Sequence, residues 1–405
     1  MSILKRAWRN IWRERRRTAI TMAAVSMNTF ILIATYALMQ GLLDQAVQNA
    51  TQLSTGEAQL HAPGYLEDRS IYKTLENPEA ILQKLKDRSF GAVPRTYGYG
   101  LVSCRTKSAG AMFWGVDPDK ERAVLRLAEH MGEGVYLSSK AHRGLVLGRK
   151  LARSLNAHVG SEIVVLVQAA DGSLGNDLFT VSGILKAAGE GVDRSAAIMH
   201  IDDFRDLFVM RSGVHEIVVN TGGRVPLAAL KESLIQAVPG AEVKTWRELL
   251  PTLSDMLQIS DVSMSVFGAI FYLAAGLGVL NTMLMATYER IHEFGLLKAL
   301  GTSPWRIVRD VTMEAWLLAF LSTVVGVVAG VAVSWVLQDV GLDTTGFAGE
   351  YTVSGIAFDP VWRASLTFRA VLEPVLVIWV VCILAALYPA SISARLDPVK
   401  SLYHV

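Results

Sequence analysis

The stretch YERIHEFGLLKALGTSPWRIVR, Tyr288–Arg309, decides the architecture. It is polar and lies between two long apolar runs. Val262–Thr287 upstream and Ala315–Leu337 downstream hold no charged residue. Each exceeds the roughly 20 residues that a bilayer-spanning helix needs. The polar stretch therefore falls at one membrane face, and its pattern is not that of a random loop. Ile291, Phe294, Leu297 and Leu300 recur at helical spacing, with Gly295 and Leu296 beside them. Glu289, Arg290, His292, Glu293 and Lys298 take the other positions. Gly301 follows the last apolar residue and Pro304 comes soon after, as a helix end requires. The expectation is a short helix on the membrane surface, one face apolar and one charged, open to a soluble partner.

Composition agrees with a mixed protein. Of 405 residues, 51% are hydrophobic and 19% are charged. Mean hydropathy is +0.33, too apolar for an ordinary soluble chain. A net charge of only +2 gives no reason to expect nucleic acid as a partner. The two cysteines, Cys104 and Cys382, fall in a polar region and an apolar run, so no disulfide is expected.

Working outward, the N-terminus is strongly basic. Residues 1–17 hold Lys5, Arg6, Arg9, Arg13, Arg15, Arg16 and Arg17 against Glu14 alone. Leu4, Trp8, Ile11 and Trp12 interleave with them at spacings of three and four. This reads as an amphipathic helix on an anionic cytoplasmic leaflet. The next apolar run, Ala19–Leu43, would reach about 37 Å as a helix. It is too long for a signal-peptide core, and no small-residue cleavage site follows it. Asn28 is expected to face other helices.

The positive-inside rule then orders the chain. Residues 1–17 are a cytoplasmic helix, 18–44 the first span and 45–260 an external domain. Residues 261–288 are the second span, 289–310 the cytoplasmic connector and 311–338 the third span. Residues 339–370 form an external loop, 371–390 the fourth span and 391–405 a cytoplasmic tail. The fold class is a four-helix membrane protein with a large α+β domain between helices 1 and 2. Strands are expected over Glu57–His61, Met112–Val116, Leu145–Leu147, Glu162–Val167, Leu178–Leu185, Ala196–His200, Glu216–Asn220 and Ala241–Thr245. Helices are expected over Pro78–Lys86, Arg149–Leu155, Asp202–Phe208 and Pro226–Val238. Asp171–Gly172 sits in Gln168–Asp177, which reads as the long protruding tip of a hairpin. Trp246–Ser260 is expected to run as helix into the second span without a break.

Catalytic patterns are missing. No G-x-x-x-x-G-K-[ST] phosphate loop occurs, and Thr302 stands after Gly301 where such a loop has lysine. His292–Glu293 begins an HExxH pattern, but position 296 is leucine. The other histidines show no metal-ligand spacing. No cofactor or metal is expected on this chain.

The run E-R-x-x-E-F-G-L-L-K-A-L-G-x-S, Glu289–Ser303, resembles the signature of the MacB/FtsX/LolC-E (type VII) superfamily of ABC-transporter permeases. A-W-R-N-x-W-R (Ala7–Arg13) and the Leu-Asp-Pro tail within Tyr388–Tyr403 resemble the two ends of that family. GVDP (Gly115–Pro118), LVLGRKLARSL (Leu145–Leu155), VGSEIVVLVQAADGS (Val159–Ser173) and FTVSGIL (Phe179–Leu185) are most similar to the lipoprotein-releasing LolC/LolE type. The resemblance implies a multi-pass permease of the bacterial inner membrane with both termini cytoplasmic and a periplasmic domain. It implies a cytoplasmic ABC ATPase dimer as partner, carrying the ATP and Mg. The docking residues would be Glu289, Arg290, Glu293, Phe294, Gly295, Leu297, Lys298, Leu300 and Gly301. A second permease subunit, the same or a paralogue, is implied too. Met22, Met27, Phe30, Met264, Phe267 and Phe271 become candidates for a lipid-tail cavity between the first two spans. Asp171, Gly172, Leu174 and Asn176 become candidates for a hook that holds a periplasmic lipoprotein carrier. Alternatives within the resemblance are MacB-like efflux with a periplasmic adaptor, and an FtsX-like mechanical relay.

Overall fold

The computed structural model describes residues 3–344, 346, 351–353, 356–358 and 361–396. Asp397 and Pro398 of the Leu-Asp-Pro turn, and Lys400 of the tail, lie outside the described residues. The chain divides into two compact units. One, helical, comprises Met1–Asp44, Gln258–Asp343 and Val361–Val405; the other comprises Gln45–Leu257 and Thr344–Pro360.

The helical unit is built on four long helices, Arg15–Ala50, Pro251–Glu289, Pro304–Asp339 and Phe368–Arg395. Each is long and apolar enough to cross a membrane. A short N-terminal helix, Ile3–Ile11, precedes the first, and an elbow helix, Ile291–Ala299, joins the second and third. The third and fourth pack tightly, and small residues let the first helix approach the third. A methyl group added to Gly326 would lie 2.5 Å from Thr29 Cβ and 2.7 Å from the Ser26 carbonyl oxygen. Gly330 meets Ile33 in the same way at 3.0 Å. Close backbone approach of this kind is how helices associate where no water drives them together. Polar ties supplement it. Thr21 and Thr282 join their hydroxyls, Tyr36 donates to the Met264 carbonyl at 2.9 Å, and Asn28 donates to the Phe271 carbonyl at 3.4 Å. Asn28 thus faces a neighbouring helix, as expected.

The second unit is a ten-stranded sheet covered by helices. Its strands are β1 (Ala58–His61), β2 (Gly91–Cys104), β3 (Lys107–Val116), β4 (Met131–Gly134), β5 (Gly144–Leu147), β6 (Glu162–Gln168), β7 (Leu174–Leu185), β8 (Ala196–His200), β9 (Glu216–Asn220) and β10 (Glu242–Thr245). Their order is β10-β1-β9-β2-β3-β8-β5-β7-β4, with β6 between β2 and β7. Strand β2 is the hub. It pairs β9 through Gly91–Arg95, β3 through Arg95–Cys104 and β6 through Gly100–Ser103. The main core lies between the sheet and the helix Ile201–Phe208, where Phe113, Phe179, Phe204 and Phe208 are fully buried.

Three expectations are corrected. Strand β2 falls on GAVPRTYGYGLVSC, where no strand was expected; Pro94 and three glycines are residues that disfavour a strand interior. Pro94 is tolerated at one end of the strand, and Gly98 is required by packing: a Cβ there would sit 2.3 Å from the Phe208 ring. The hairpin tip is short rather than long. Strands β6 and β7 pair as far as Gln168 and Leu174, leaving a turn of Ala169–Ser173. Helix does not run unbroken from Trp246: Leu250 leaves helical geometry and a new helix begins at Pro251. Proline lacks the N–H that would continue the earlier helix and suits a first turn.

Candidate functional site

The elbow is formed by local rules. The second long helix stops at Glu289, and Arg290 turns the chain with a hydrogen bond from its N–H to the Thr287 carbonyl. The elbow helix closes with Gly301 at φ +86°, where its N–H and that of Thr302 reach back to Lys298 and Leu297. Glycine takes this left-handed geometry at low cost. Ser303 and Pro304 then start the third long helix.

The elbow's charges are turned to partners within the chain. The Arg290 guanidinium grips both oxygens of Glu314, at 3.1 and 3.0 Å, and lies 5.0 Å over the Phe294 ring. Glu314 is only 6% exposed and also accepts from Asn10. A buried carboxylate is tolerable only with such charged and polar partners. Glu293 takes Arg13 at 2.5 Å and Arg290 at 3.2 Å. Glu289 takes Arg17 at 2.7 Å, and Asp310 takes Arg6 at 3.1 Å. Burial works against the Glu293 charge, but the Arg13 and Arg290 guanidiniums outweigh it and hold its carboxyl below the ordinary range. The Glu293 hydrogen bond correspondingly raises Arg13. Lys298 donates to the carbonyls of Ala394 and Leu396 and so satisfies the open end of the fourth long helix. Between these groups lies a cavity of about 170 Å³, lined by Asn10, Arg13, Arg17, Thr282, Glu289 and Glu314 among others.

Sequence spacing gave the elbow one apolar and one charged face, with Leu297 and Leu300 among the docking candidates. Phe294 and Gly295 are buried as that pattern requires. Leu296, Leu297 and Leu300 are instead exposed, at 49%, 43% and 76%, and Trp305 beside them is also exposed. The face of the elbow left uncovered by the chain is therefore leucine-rich, while Glu289, Arg290, Glu293 and Lys298 hold the elbow in place. Periodicity could not show this, because it cannot see the arginines that arrive from residues 6–17.

The remaining candidates are dispersed. Met22, Phe267 and Phe271 pack against the helical core, and the Phe267 and Phe271 rings lie 4.7 Å apart. Met264 is half-buried and engaged through its carbonyl, Phe30 is half-buried, and Met27 is exposed. At the hairpin tip, Gly172 has φ +83° and Asp171 accepts from the Ser173 N–H and hydroxyl. Leu174 and Asn176 lie inside β7 rather than in the tip, with Leu174 strongly exposed. Ala170 N–H bonds to the Phe208 carbonyl, which ties the tip down.

A cluster that sequence reading missed lies in the sheet unit. Arg95 on β2 is buried and donates to Glu121 and to the Ser54 carbonyl, with Glu216 at 3.6 Å. Its guanidinium stands 5.2 Å over the Trp114 ring. Tyr97 donates its hydroxyl to Glu216, and its N–H donates to His215 Nδ1. Burial pushes His215 and His61 below the ordinary histidine range. Among the described residues no group of His, Cys, Asp and Glu could hold a metal ion.

Comparison with known proteins follows from this architecture. The MacB-like periplasmic core domain model matches residues 18–237, and the FtsX-like permease C-terminal model matches residues 265–398. A lipoprotein-releasing system transmembrane protein LolC from Neisseria meningitidis is 23% identical over 78% of this chain and 77% of its own length. The LolC of Xylella fastidiosa is 24% identical over 95% of this chain and 93% of its own. A macrolide export ATP-binding/permease protein MacB from Marinobacter nauticus is 22% identical over 98% of this chain but only 60% of its own length.

Proposed function

The chain belongs to the MacB/FtsX/LolC superfamily of ABC-transporter permeases, and from that membership we propose that it couples a separate cytoplasmic ATPase to work on the periplasmic side of a bacterial inner membrane. The work is extraction of a lipoprotein, or another lipidated substrate, from the outer leaflet. Both termini and the elbow are cytoplasmic, and the chain acts paired with a second permease subunit. One observation carries this reading. The elbow leaves Leu296, Leu297 and Leu300 uncovered by the rest of the chain. Exposed leucines on a helix held in place by ionic ties are what a helix-in-groove contact needs. The relatives named for lipoprotein release span the chain and are matched over most of their own length, which supports the cargo class. Exposed Leu174 next to the hairpin turn is the contact for a periplasmic carrier.

A second reading, efflux with a periplasmic adaptor, is favoured by the core-domain match and by the MacB relative. The test is purification in mild detergent with identification of what is retained. The doubly substituted Leu297→Glu/Leu300→Glu chain should lose its ATPase while keeping its thermal midpoint, because both side chains are exposed. Full retention of the ATPase would reject docking at the elbow. A carrier lost on Leu174→Glu supports release, whereas a retained adaptor and no carrier supports efflux.

A further inference from the structure

The seven cations of residues 5–17 are sorted by the fold into two sets. Arg6, Arg13 and Arg17 are ion-paired, with Asp310, Glu293 and Glu289. Lys5, Arg9, Arg15 and Arg16 are exposed, and none has an ion-pair partner among the described residues. The N-terminal helix is sorted likewise. Ala7 and Ile11 are buried in the helical core, while Leu4, Trp8 and Trp12 are exposed, with the two indoles 5.9 Å apart. One face of this helix is thus locked to the permease. The other offers two tryptophans, a leucine and unpaired cations, a composition that fits the headgroup layer of a membrane.

We propose that the outward face binds anionic phospholipid, and that this binding sets the position of the elbow. The relay is short and covalent in part. Lipid held by Lys5, Arg9, Arg15 and Arg16 fixes the segment 3–17. That same segment carries Arg13 and Arg17, whose guanidiniums hold Glu293 in the elbow's first turn and Glu289 at the end of the second long helix. Arg6 and Asn10 anchor it to Asp310 and Glu314 on the third long helix, and Glu314 also takes Arg290 of the elbow. No charged residue of the N-terminal segment except Glu14 opposes an anionic surface. Phospholipid, rather than an acidic protein, is the occupant because the cations alternate with tryptophans that must themselves leave water. This goes beyond the docking role: it makes the lipid a ligand that tunes the elbow, whether or not an ATPase sits there.

The test uses the full chain in nanodiscs of phosphatidylcholine alone or with 30 mol% phosphatidylglycerol, followed by amide hydrogen exchange. Each cation near an anionic surface is worth about a fivefold preference. Phosphatidylglycerol should therefore slow exchange at least fivefold across residues 4–17 and across residues 289–300. High salt should reverse the effect. In Lys5→Gln/Arg9→Gln/Arg15→Gln/Arg16→Gln both segments should become insensitive to phosphatidylglycerol. In Arg13→Gln/Arg17→Gln the N-terminal segment should still respond while the elbow does not. Equal exchange in the two lipids, or an unchanged response of the fourfold variant, overturns lipid binding. An elbow that still responds in the twofold variant overturns the relay. Soluble glycerol phosphate added to phosphatidylcholine nanodiscs should have no effect; protection by it would replace the membrane surface with a free-phosphate site.

Discussion

The two units use ionic groups in opposite ways. In the sheet unit, Arg95 is 1% exposed and closes on Glu121, Glu216 and a backbone carbonyl. In the helical unit, the Arg13–Glu293 pair has side chains 61% and 44% exposed. A buried network is strong only as a whole, since each charge left alone inside is costly. An exposed pair contributes little and re-forms readily. The sheet unit thus has an ionic core that resists rearrangement. The elbow has outer ties that open and close at small cost, around the buried Arg290–Glu314 pair. That division suits the proposed docking of a partner at the elbow, with the sheet unit keeping its shape.

The sharpest way to break the comparison is to remove the sheet unit's cation. Arg95→Met leaves Glu121 and Glu216 buried without their guanidinium. The loss should be about 3–5 kcal/mol. Urea unfolding followed by proteolysis of residues 45–257 should show it, with the helical unit still resistant. A loss as small as that of a surface pair would erase the contrast.

This cluster was also the least legible part of the sequence. Arg95, Glu121 and Glu216 lie far apart in the chain, and their meeting depends on β2, whose Pro94 and glycines carry no strand signal. The four long helices were legible because an apolar run of that length has few alternatives to a membrane span. Most other strands were legible from β-branched runs between turn residues, but β4, Met131–Gly134, holds no β-branched residue and was not expected. At the elbow, position and capping were readable, since Gly301 and Pro304 are local signals. Which side faces water was not, because the deciding arginines belong to a different segment. The hairpin tip misled for a similar reason: Leu174–Asp177 looks too polar for a strand, yet it pairs as one with β6.

The next effect concerns packing within the helical unit. Gly326→Leu forces a side chain against Thr29 and the Ser26 carbonyl, where even one carbon does not fit. Overpacking of this kind should cost about 1–3 kcal/mol. The thermal midpoint in detergent should fall, whereas Gly278→Leu, where a Cβ meets nothing within 4 Å, should leave it unchanged.

Acid should separate the units as well. His215 accepts the Tyr97 N–H through Nδ1, so it is neutral in the folded sheet, and burial lowers its affinity for a proton. His61 is lowered by burial too. The unfolded chain therefore binds protons that the folded one refuses. Stability is fully present above the ordinary histidine pKa of about 6.5 and falls as pH drops below it. Each histidine contributes a slope of at most about 1.4 kcal/mol per pH unit. Between pH 7.5 and pH 5.5 the sheet unit should lose stability and His215→Asn should flatten the loss; an unchanged midpoint would show that neither histidine is kept neutral.

The smallest effect belongs to the elbow's outer ties, and its smallness is the point. Arg17→Gln removes a half-exposed partner of Glu289 at a separation of 2.7 Å. The cost should be about 0.2–1 kcal/mol, and less at high salt. Thermal midpoints would barely register it. Hydrogen exchange would, because the tie acts on the end of the second long helix rather than on the whole unit: amides at Thr287–Arg290 should exchange faster while those of the third long helix do not. If Arg17→Gln instead destabilised the helical unit as severely as Arg95→Met destabilises the sheet, the elbow would be a rigid corner, and a partner's pull on it would have nothing to open.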